Sequence, residues 1–321
     1  MRRRDFVTLV GITLVAAPSL GTAQQAAAGK KIGVLFPGKL GPDRERLINE
    51  GLANALGNQK VILLVRSSEG DDSLLTRYAA ELAATVDVIL AFASVSLAAA
   101  RQAAPNLPIV ALDLEADPIA IGAAQSLNRP GGNVTGVFLD APEIAGKWMQ
   151  IIREIVPRAQ KVALLFDSHL DQTQLKSAEA IARKIGIETL RLGIDRPDEF
   201  RDAFRRAADA KVEAMVVHSS PVFVDQAVPI AELAREFRLP SIGLFPIYAK
   251  AGGLISYGPN NFELFKQAGE IAGRILLGAK PADFPIQRPI YLSFLINMQT
   301  AKLLQISIPP SLSALADEVI E

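Results

Sequence analysis

Three carboxylates stand within five residues, directly after an apolar run of strand length. Asp113, Glu115 and Asp117 follow the run Ile109–Leu112, and Pro118 comes next. Because side chains alternate across a strand, Asp113 and Glu115 are predicted to share one side, where either could bind a ligand amine or hydroxyl. An aspartate just before a proline is a typical helix cap, so Asp117 is assigned to capping. Asp113 is therefore the stronger candidate for ligand contact.

Other polar residues also follow apolar runs. Ser94 and Ser96 open a predicted helix, whose free N–H groups and dipole favour a carboxylate or phosphate. A serine there can equally serve as the helix N-cap. In the second half of the chain, four candidate ligand-binding residues directly follow strands: Asp167, Ser168, His218 and Ser219. His218 could instead be a structural histidine whose hydrogen bonds are satisfied inside the fold.

Aromatic residues at strand ends could provide a planar surface. Phe36, Phe245 and Tyr257 are predicted to lie there and could stack on an aromatic ligand, although burial in the core is the alternative. Trp148 shares a helix face with apolar residues and is assigned to packing. These aromatic residues and the acidic loop together favour a planar or amine-bearing solute without deciding between them.

The composition excludes several kinds of chemistry. The 321 residues include no cysteine and only two histidines, His169 and His218, neither of which has a partner at metal-ligand spacing. The motifs of serine hydrolases, zinc proteases and nucleotide-binding loops are missing, so we predict no enzyme, no metal and no cofactor. Lysine plus arginine equals aspartate plus glutamate at 34 each, without long runs of one sign. Nucleic acid is therefore not an expected partner.

The elements that must position these residues alternate between strand and helix. Apolar runs such as Ile32–Phe36 and Val86–Phe92 are separated by amphipathic stretches, a pattern typical of parallel sheets covered by helices. Turn formers at 128–133 mark a boundary, after which the alternation resumes. The predicted fold class is α/β, with two doubly wound parallel-sheet lobes joined by a hinge. Segments after Pro240 are expected to pass between the lobes and leave a ligand cleft.

The N-terminus has the three parts of an export signal. A basic start at residues 1–6 precedes an apolar run and the small residues Gly21 and Ala23, so cleavage is predicted near Ala23. Arg3 and Arg4 fit the twin-arginine form, with the ordinary secretory route as the alternative. A retained membrane anchor would need a longer apolar run than the one that Pro18 ends.

Four segments resemble a large bacterial family, the ABC transporter substrate-binding proteins. They are 109–118, 127–136 with its RPGGNVTG sequence, 251–260, and the IPPSL to ADEVIE ending at 308–321. The resemblance covers nearly the whole mature chain and implies the type I periplasmic binding fold. After the export signal at 1–29, it also implies an N-terminal lobe of 30–139 plus 259–287 and a C-terminal lobe of 140–258 plus 288–321.

Some relatives bind aromatic amino acids such as tryptophan, but two proposed contacts depart from the family pattern. The loop 93–96 reads Ala-Ser-Val-Ser where many relatives have Gly-Thr-Pro, and 113–115 is more acidic than usual. We therefore do not assign the ligand of those relatives to this protein. The predicted function is a periplasmic, monomeric receptor that closes on a small-molecule solute and delivers it to an ABC permease in the inner membrane. The alternatives are an exported two-lobed enzyme using Asp113 with His218, and a ligand sensor not coupled to transport.

Overall fold

Strands and helices alternate through almost all of residues 29–321, the part of the chain that the computed structural model describes. The strands are β1 (Lys30–Phe36), β2 (Val61–Ser67), β3 (Val88–Phe92), β4 (Ile109–Asp113), β5 (Val134–Phe138), β6 (Lys161–Asp167), β7 (Glu188–Ile194), β8 (Ala214–Val217), β9 (Ser241–Gly243), β10 (Ile255–Pro259), β11 (Leu292–Asn297) and β12 (Glu318–Ile320). The α-helices are α1 (Pro42–Leu56), α2 (Leu75–Ala83), α3 (Ala93–Ala103), α4 (Ala141–Ile155), α5 (Thr173–Lys184), α6 (Phe200–Asp209), α7 (Pro221–Asp225), α8 (Ala227–Glu236), α9 (Pro246–Lys250), α10 (Asn261–Leu276), α11 (Met298–Leu304) and α12 (Pro310–Leu315). Short 3₁₀ turns occupy Asp72–Leu74, Pro197–Glu199 and Pro281–Asp283.

The strands form two sheets, which confirms the predicted fold class. The first sheet has the order β2-β1-β3-β4-β5 and is entirely parallel. The second has the order β12-β11-β10-β9-β8-β6-β7, in which β11 runs antiparallel to β10. Pro259, the last residue of β10, pairs with Leu292, the first of β11, so the chain leaves and re-enters this sheet at the same end. That re-entry is why β11 reverses direction.

Helix α10 follows the second sheet in sequence but packs on the first. It lies against α1 and also contacts β3, β4 and β5. Two glycines allow the close approach, because a Cβ at Gly51 would lie 2.0 Å from the Lys266 carbonyl oxygen and one at Gly269 would lie 2.3 Å from that of Ile48. We call β1–β5 with α1–α3 and α10 the first lobe, and the remaining strands and helices the second lobe.

The connections between the lobes lie side by side. Gln287 forms a parallel bridge with Val137 at the edge of the first sheet, and the Arg288 guanidinium donates a hydrogen bond of 2.6 Å to the Leu139 carbonyl oxygen. The first connection leads from β5 into α4, and the other two precede α10 and β11. The residue boundaries predicted from the sequence, 30–139 plus 259–287 and 140–258 plus 288–321, stay predictions.

Some local features differ from the prediction. The apolar spacing of residues 222–237 predicts a single helix, but the structure has two helices there, α7 and α8, separated at Gln226. Pro229 in the first turn of α8 has no N–H with which to continue a helix from α7. Strand β12 was not predicted. Within residues 29–321 no helix combines the length and apolar character needed to cross a membrane, and the proposed export signal lies outside these residues.

Candidate ligand-binding site

Three phenylalanine rings form an aromatic cluster where the two lobes meet. Phe36 and Phe92 are the last residues of β1 and β3 and lie on the same face of the first sheet, because side chains alternate along each strand. Helix α10 adds Phe265 from the side. The ring centroids of Phe36 and Phe92 are 5.4 Å apart, and those of Phe92 and Phe265 are 5.1 Å apart in a stacked arrangement. The cluster provides a buried, planar apolar wall.

This wall lines a cavity that lies between the lobes and opens to solvent. The first lobe contributes mostly apolar residues, and the second contributes Phe245 and a polar edge after β8. The lining residues are Phe36, Arg44, Phe92, Ala93, Leu112, Leu114, Glu115, Ser219, Ser220, Pro221, Val224, Phe245, Asn261, Leu264 and Phe265. Because both lobes supply the walls, a molecule held here would join them.

Glu115 and Asp113 form a buried acidic pair beside this cavity. Asp113 ends β4 with 0% exposure, and its Oδ1 accepts hydrogen bonds of 3.0 Å from the backbone N–H groups of Glu115 and Ala116. Glu115 lies in the loop just after the strand and is 4% exposed. Its Oε1 accepts a 2.6 Å hydrogen bond from the Ser219 hydroxyl of the other lobe. Asp113 thus fixes the loop after β4 through these two hydrogen bonds, and Glu115 in that loop lines the cavity.

Burial alters the acidity of both carboxyl groups. Removal from water raises the pKa of Asp113 to about 6, partly offset by its two backbone hydrogen bonds. The pKa of Glu115 is raised well above its ordinary value by burial first and then by repulsion from Asp113. Each carboxyl group therefore titrates under the influence of the other.

His218 is a neutral histidine inside the second lobe. Burial lowers its pKa to about 4, so the ring carries no charge at pH 7. Its Nδ1 lies 3.1 Å from the Leu165 carbonyl oxygen and therefore holds the proton, and its ring meets Trp148 edge-on at 5.5 Å. Its Nε2 has no hydrogen-bond partner within the described chain and faces a small polar cavity that Glu115 also lines. No hydrogen bond joins His218 to Asp113.

Hydrogen bonds across the cleft hold the two lobes together. The Gln174 amide of α5 makes one of them, because its Nε2 donates to the Leu114 carbonyl oxygen at 2.6 Å, while its Oε1 accepts from the Ser219 N–H of its own lobe at 3.1 Å. The other contacts between the lobes are Ser219 to Glu115, the Asp171 N–H to the Ser94 hydroxyl at 2.9 Å, and Arg44 to Asp225 at 3.0 Å. The lobes are closed on one another in this structure.

A second, larger cleft also lies between the lobes. Asp167 at the end of β6 lines it, and its Oδ2 accepts a 2.7 Å hydrogen bond from the Ser220 hydroxyl. His169 and Arg196 contribute basic groups to the same cleft. In residues 29–321, no three histidine, aspartate or glutamate side chains are grouped as a metal ion would require.

The structure brings some of the predicted site residues together and separates others. Phe36, Glu115, Ser219 and Phe245 line the central cavity. Ser94 joins the lobes instead, and the buried Ser96 has a hydroxyl with no partner within the described residues. Ser168 lies beside Gly193, away from this cavity. Tyr257 packs against Phe294 at 6.0 Å, because the two residues are opposite one another in the β10–β11 pairing. Asp113, the favoured candidate, lies behind Glu115.

Several lining residues were not predicted from the sequence. Phe92 ends a strand as Phe36 does, so the same strand-end signal could have identified it. Arg44 and Phe265 belong to helices α1 and α10, and Gln174 opens α5. Nothing local distinguishes these three from other helical residues, because their place in the site depends on how the helices pack.

Comparison with known proteins shows the family. A family model described as ABC transporter substrate binding protein matches residues 43–320. A tyrosine-binding protein of Clostridioides difficile (strain R20291) is 27% identical over 220 residues, which are 68% of this chain and 63% of that protein. The chain thus aligns with less than two thirds of that relative.

Solved structures show the same architecture. The structure of an ABC domain from Streptococcus pneumonia in complex with L-Trp has 26% identity and a TM-score of 0.80, covering 91% of this chain and 100% of that one. A conserved domain protein from Vibrio cholerae, at 20% identity, also has a TM-score of 0.80 over 90% of this chain and 99% of that one, and shows the fold alone.

Proposed function

Because the chain belongs to the family of ABC transporter substrate-binding proteins, we propose that it captures a small solute between its lobes and delivers it to an ABC permease. The family is one of solute-binding proteins and not of enzymes, so the alternative of an exported enzyme using Asp113 with His218 is wrong. Binding in this mechanism needs no covalent step. A solute that contacts both lobes favours the closed form by the difference between its affinities for closed and open protein.

The observation that carries this proposal is the cavity whose walls come from both lobes. The aromatic cluster of Phe36, Phe92 and Phe265 lies on one side, and Ser219 and Phe245 lie on the other. An apolar cavity with a few convergent polar groups is the usual form of a small-molecule site. Glu115 provides the polar end, so a solute with a planar apolar body and a polar head fits best. Amino acids, aromatic compounds and amines all belong to this group.

The proposed location is the periplasm, with the chain acting there as a monomer. The support is the sequence of residues 1–29, which has the basic start, apolar run and small residues of an export signal. Arg3 and Arg4 suggest the twin-arginine route. Sequencing the N-terminus of the protein recovered from the periplasm tests the proposal, with Gln24 as the expected first residue and the intact Met1 as the contrary result.

The binding proposal is tested with the purified protein and a panel of amino acids, aromatic acids and amines. A solute present at a hundred times its Kd should stabilise the folded protein by about 2.7 kcal/mol and raise Tm accordingly. The same solute should be recovered chemically unchanged after incubation. Release of a reaction product, or a panel in which nothing raises Tm or binds in calorimetry, would count against a receptor for these solutes.

A further inference from the structure

Glu115 extends from the first lobe into a small polar cavity of the second lobe. All the other residues that line this cavity belong to the second lobe: Phe166, Asp167, Leu170, Asp171, Gln172, Gln174, Leu175, His218 and Ser219. The Ser219 hydroxyl donates a hydrogen bond of 2.6 Å to Glu115 Oε1, and Glu115 is 4% exposed. The burial of the Glu115 carboxyl group therefore depends on the closure of the lobes.

The polar cavity offers no positive charge to an ionised carboxylate. Within the described chain, no lysine or arginine lines it, and its two aspartates, Asp167 and Asp171, carry the same charge as an ionised glutamate. Its histidine, His218, is neutral because burial lowers the pKa of the ring to about 4. A buried carboxylate without a compensating cation is costly, so closure disfavours the ionised form of Glu115.

Groups on the other sides of Glu115 compensate its charge only in part. Arg44 of α1 lines the central cavity together with Glu115, but its ion pair, at 3.0 Å, is with Asp225. The backbone N–H of Ser94, in the first turn of α3, donates to the Glu115 carboxyl group and favours its ionised form. Burial and repulsion from Asp113 outweigh the hydrogen bonds that the carboxyl group accepts, so its pKa lies well above the ordinary value.

The contact between Glu115 and Asp113 itself requires a proton. Their carboxyl groups are hydrogen-bonded to one another, and two ionised carboxylates offer only acceptors. Asp113 Oδ2 and Glu115 Oε2 have no donor from any other described residue. Asp113 Oδ1 accepts two backbone N–H groups, which stabilise the ionised form of Asp113. The proton is therefore assigned to Glu115, which donates it to Asp113.

Resting on the proposed function, we propose that closure of the lobes takes up one proton from solvent, which Glu115 carries and shares with Asp113. In the open form the walls of the polar cavity move away from Glu115, so water solvates its carboxylate and the proton leaves. The closed form thus binds the proton more tightly than the open form, and the ratio of closed to open protein rises as pH falls. Solute capture is consequently stronger in acid, and a rise in pH favours release.

Small-angle X-ray scattering of the ligand-free protein at pH 5.5, 7 and 8.5 tests the inference. The radius of gyration should increase with pH, because the ratio of closed to open protein falls by about threefold or more over this range as Glu115 ionises. A radius that stays constant, or one that decreases as pH rises, overturns the inference. Binding of a panel solute in calorimetry would still support the receptor function in that case, so the two proposals fail separately.

Glu115→Gln tests the assigned residue directly. Glutamine cannot ionise, and its amide can both accept from Ser219 and donate to Asp113, so the radius should keep its low-pH value up to pH 8.5. His169→Gln is the matched control, because this titratable side chain lines the second cleft, where its charge acts on Asp72 of the first lobe. The control should retain the full pH dependence. Loss of the dependence in His169→Gln, or its persistence in Glu115→Gln, overturns the assignment to Glu115. The pH series of the unaltered protein and of His169→Gln decide the inference even if Glu115→Gln does not fold.

Discussion

At the scale of single residues, the site is governed by carboxyl groups in unusual surroundings. Asp113 is held by the two N–H groups of the loop that it begins, and Glu115 faces both Asp113 and the other lobe. Two acidic groups act on the pKa of Asp113: the hydrogen bond with the Glu115 carboxyl group lowers it, and the charge of Asp171 from the second lobe raises it. Its titration should therefore be visible in the stability of the whole protein.

Replacing Asp113 with asparagine should change how stability depends on pH. The pKa of Asp113 rises from 3.8 when unfolded to about 6 when folded, so the folded protein binds its proton more tightly. Ionisation of Asp113 consequently lowers the free energy of unfolding as pH increases from about 4, and the loss reaches about 3 kcal/mol above pH 6. Asparagine keeps the acceptor oxygen and does not titrate. Thermal melts from pH 4 to 8 should show Asp113→Asn more stable than the unaltered protein at pH 7, with the difference vanishing towards pH 4.

Asp117→Asn serves as the comparison for these melts. Asparagine caps a turn nearly as well as aspartate, so any difference in Tm should be small and nearly independent of pH. Parallel pH profiles for Asp113→Asn and the unaltered protein would contradict the raised pKa of Asp113.

At the scale of elements, the pairing of α1 with α10 brings distant residues of the site together. Phe265 and Asn261 of α10 line the cavity beside Arg44 of α1, although more than 200 residues separate them in sequence. The two helices approach closely because each has a glycine at the contact, Gly51 on α1 and Gly269 on α10. The contact is tight enough that one added methyl group has no room.

Gly269→Ala should lower stability although alanine favours helix formation. The new Cβ would meet the Ile48 carbonyl oxygen at 2.3 Å, and separating the helices to relieve this overlap should cost about 1–3 kcal/mol. Gly146→Ala in α4 is the matched control, because nothing lies within 4 Å of its Cβ position. It should gain about 0.5–1 kcal/mol from helix propensity. Differential scanning calorimetry distinguishes the two, and an equal rise in Tm for both would show that the helix contact is not tight.

At the scale of the whole molecule, closure depends on a few hydrogen bonds around the cavity. Gln174 is the most connected of these residues, since one buried amide binds both Leu114 and Ser219. A solute in the cavity adds contacts to a closed arrangement that these bonds already favour. The balance between open and closed forms should therefore respond to a change at Gln174 even without solute.

Gln174→Leu should shift the ligand-free protein towards the open form. Leucine fills a similar volume but cannot bind the Leu114 carbonyl oxygen, and the loss of about 1.4 kcal/mol changes the ratio of closed to open protein about tenfold. Small-angle X-ray scattering should give a larger radius of gyration for this variant. Gln150→Leu, at an exposed position on α4, should leave it unchanged. An unchanged radius in both variants would mean that the Gln174 bonds do not hold the lobes together.

Much of the fold could be predicted from the sequence because parallel strands are buried on both faces. Every residue of β3, β4 and β5 is buried and all except Asp113 and Thr135 are non-polar, so the positions of these strands follow from the apolar pattern. The rule that ligand-binding residues lie at the ends of strands also predicted Phe36, Glu115, Ser219 and Phe245, which line the central cavity. It failed for Tyr257, since the end of a strand marks an edge of the sheet without saying which face a side chain occupies.

The sequence by itself determined the fold class, the family and the edge of the sheets where a ligand would bind, because hydrophobic periodicity and short motifs are properties of neighbouring residues. Tertiary structure decided which side chains meet there. Glu115 rather than Asp113 reaches the cavity because β4 ends at Asp113, so alternation no longer applies to the next two residues. Arg44, Phe265 and Gln174 joined the site only through helix packing and lobe closure, which bring together residues whose separation along the chain carries no local signal.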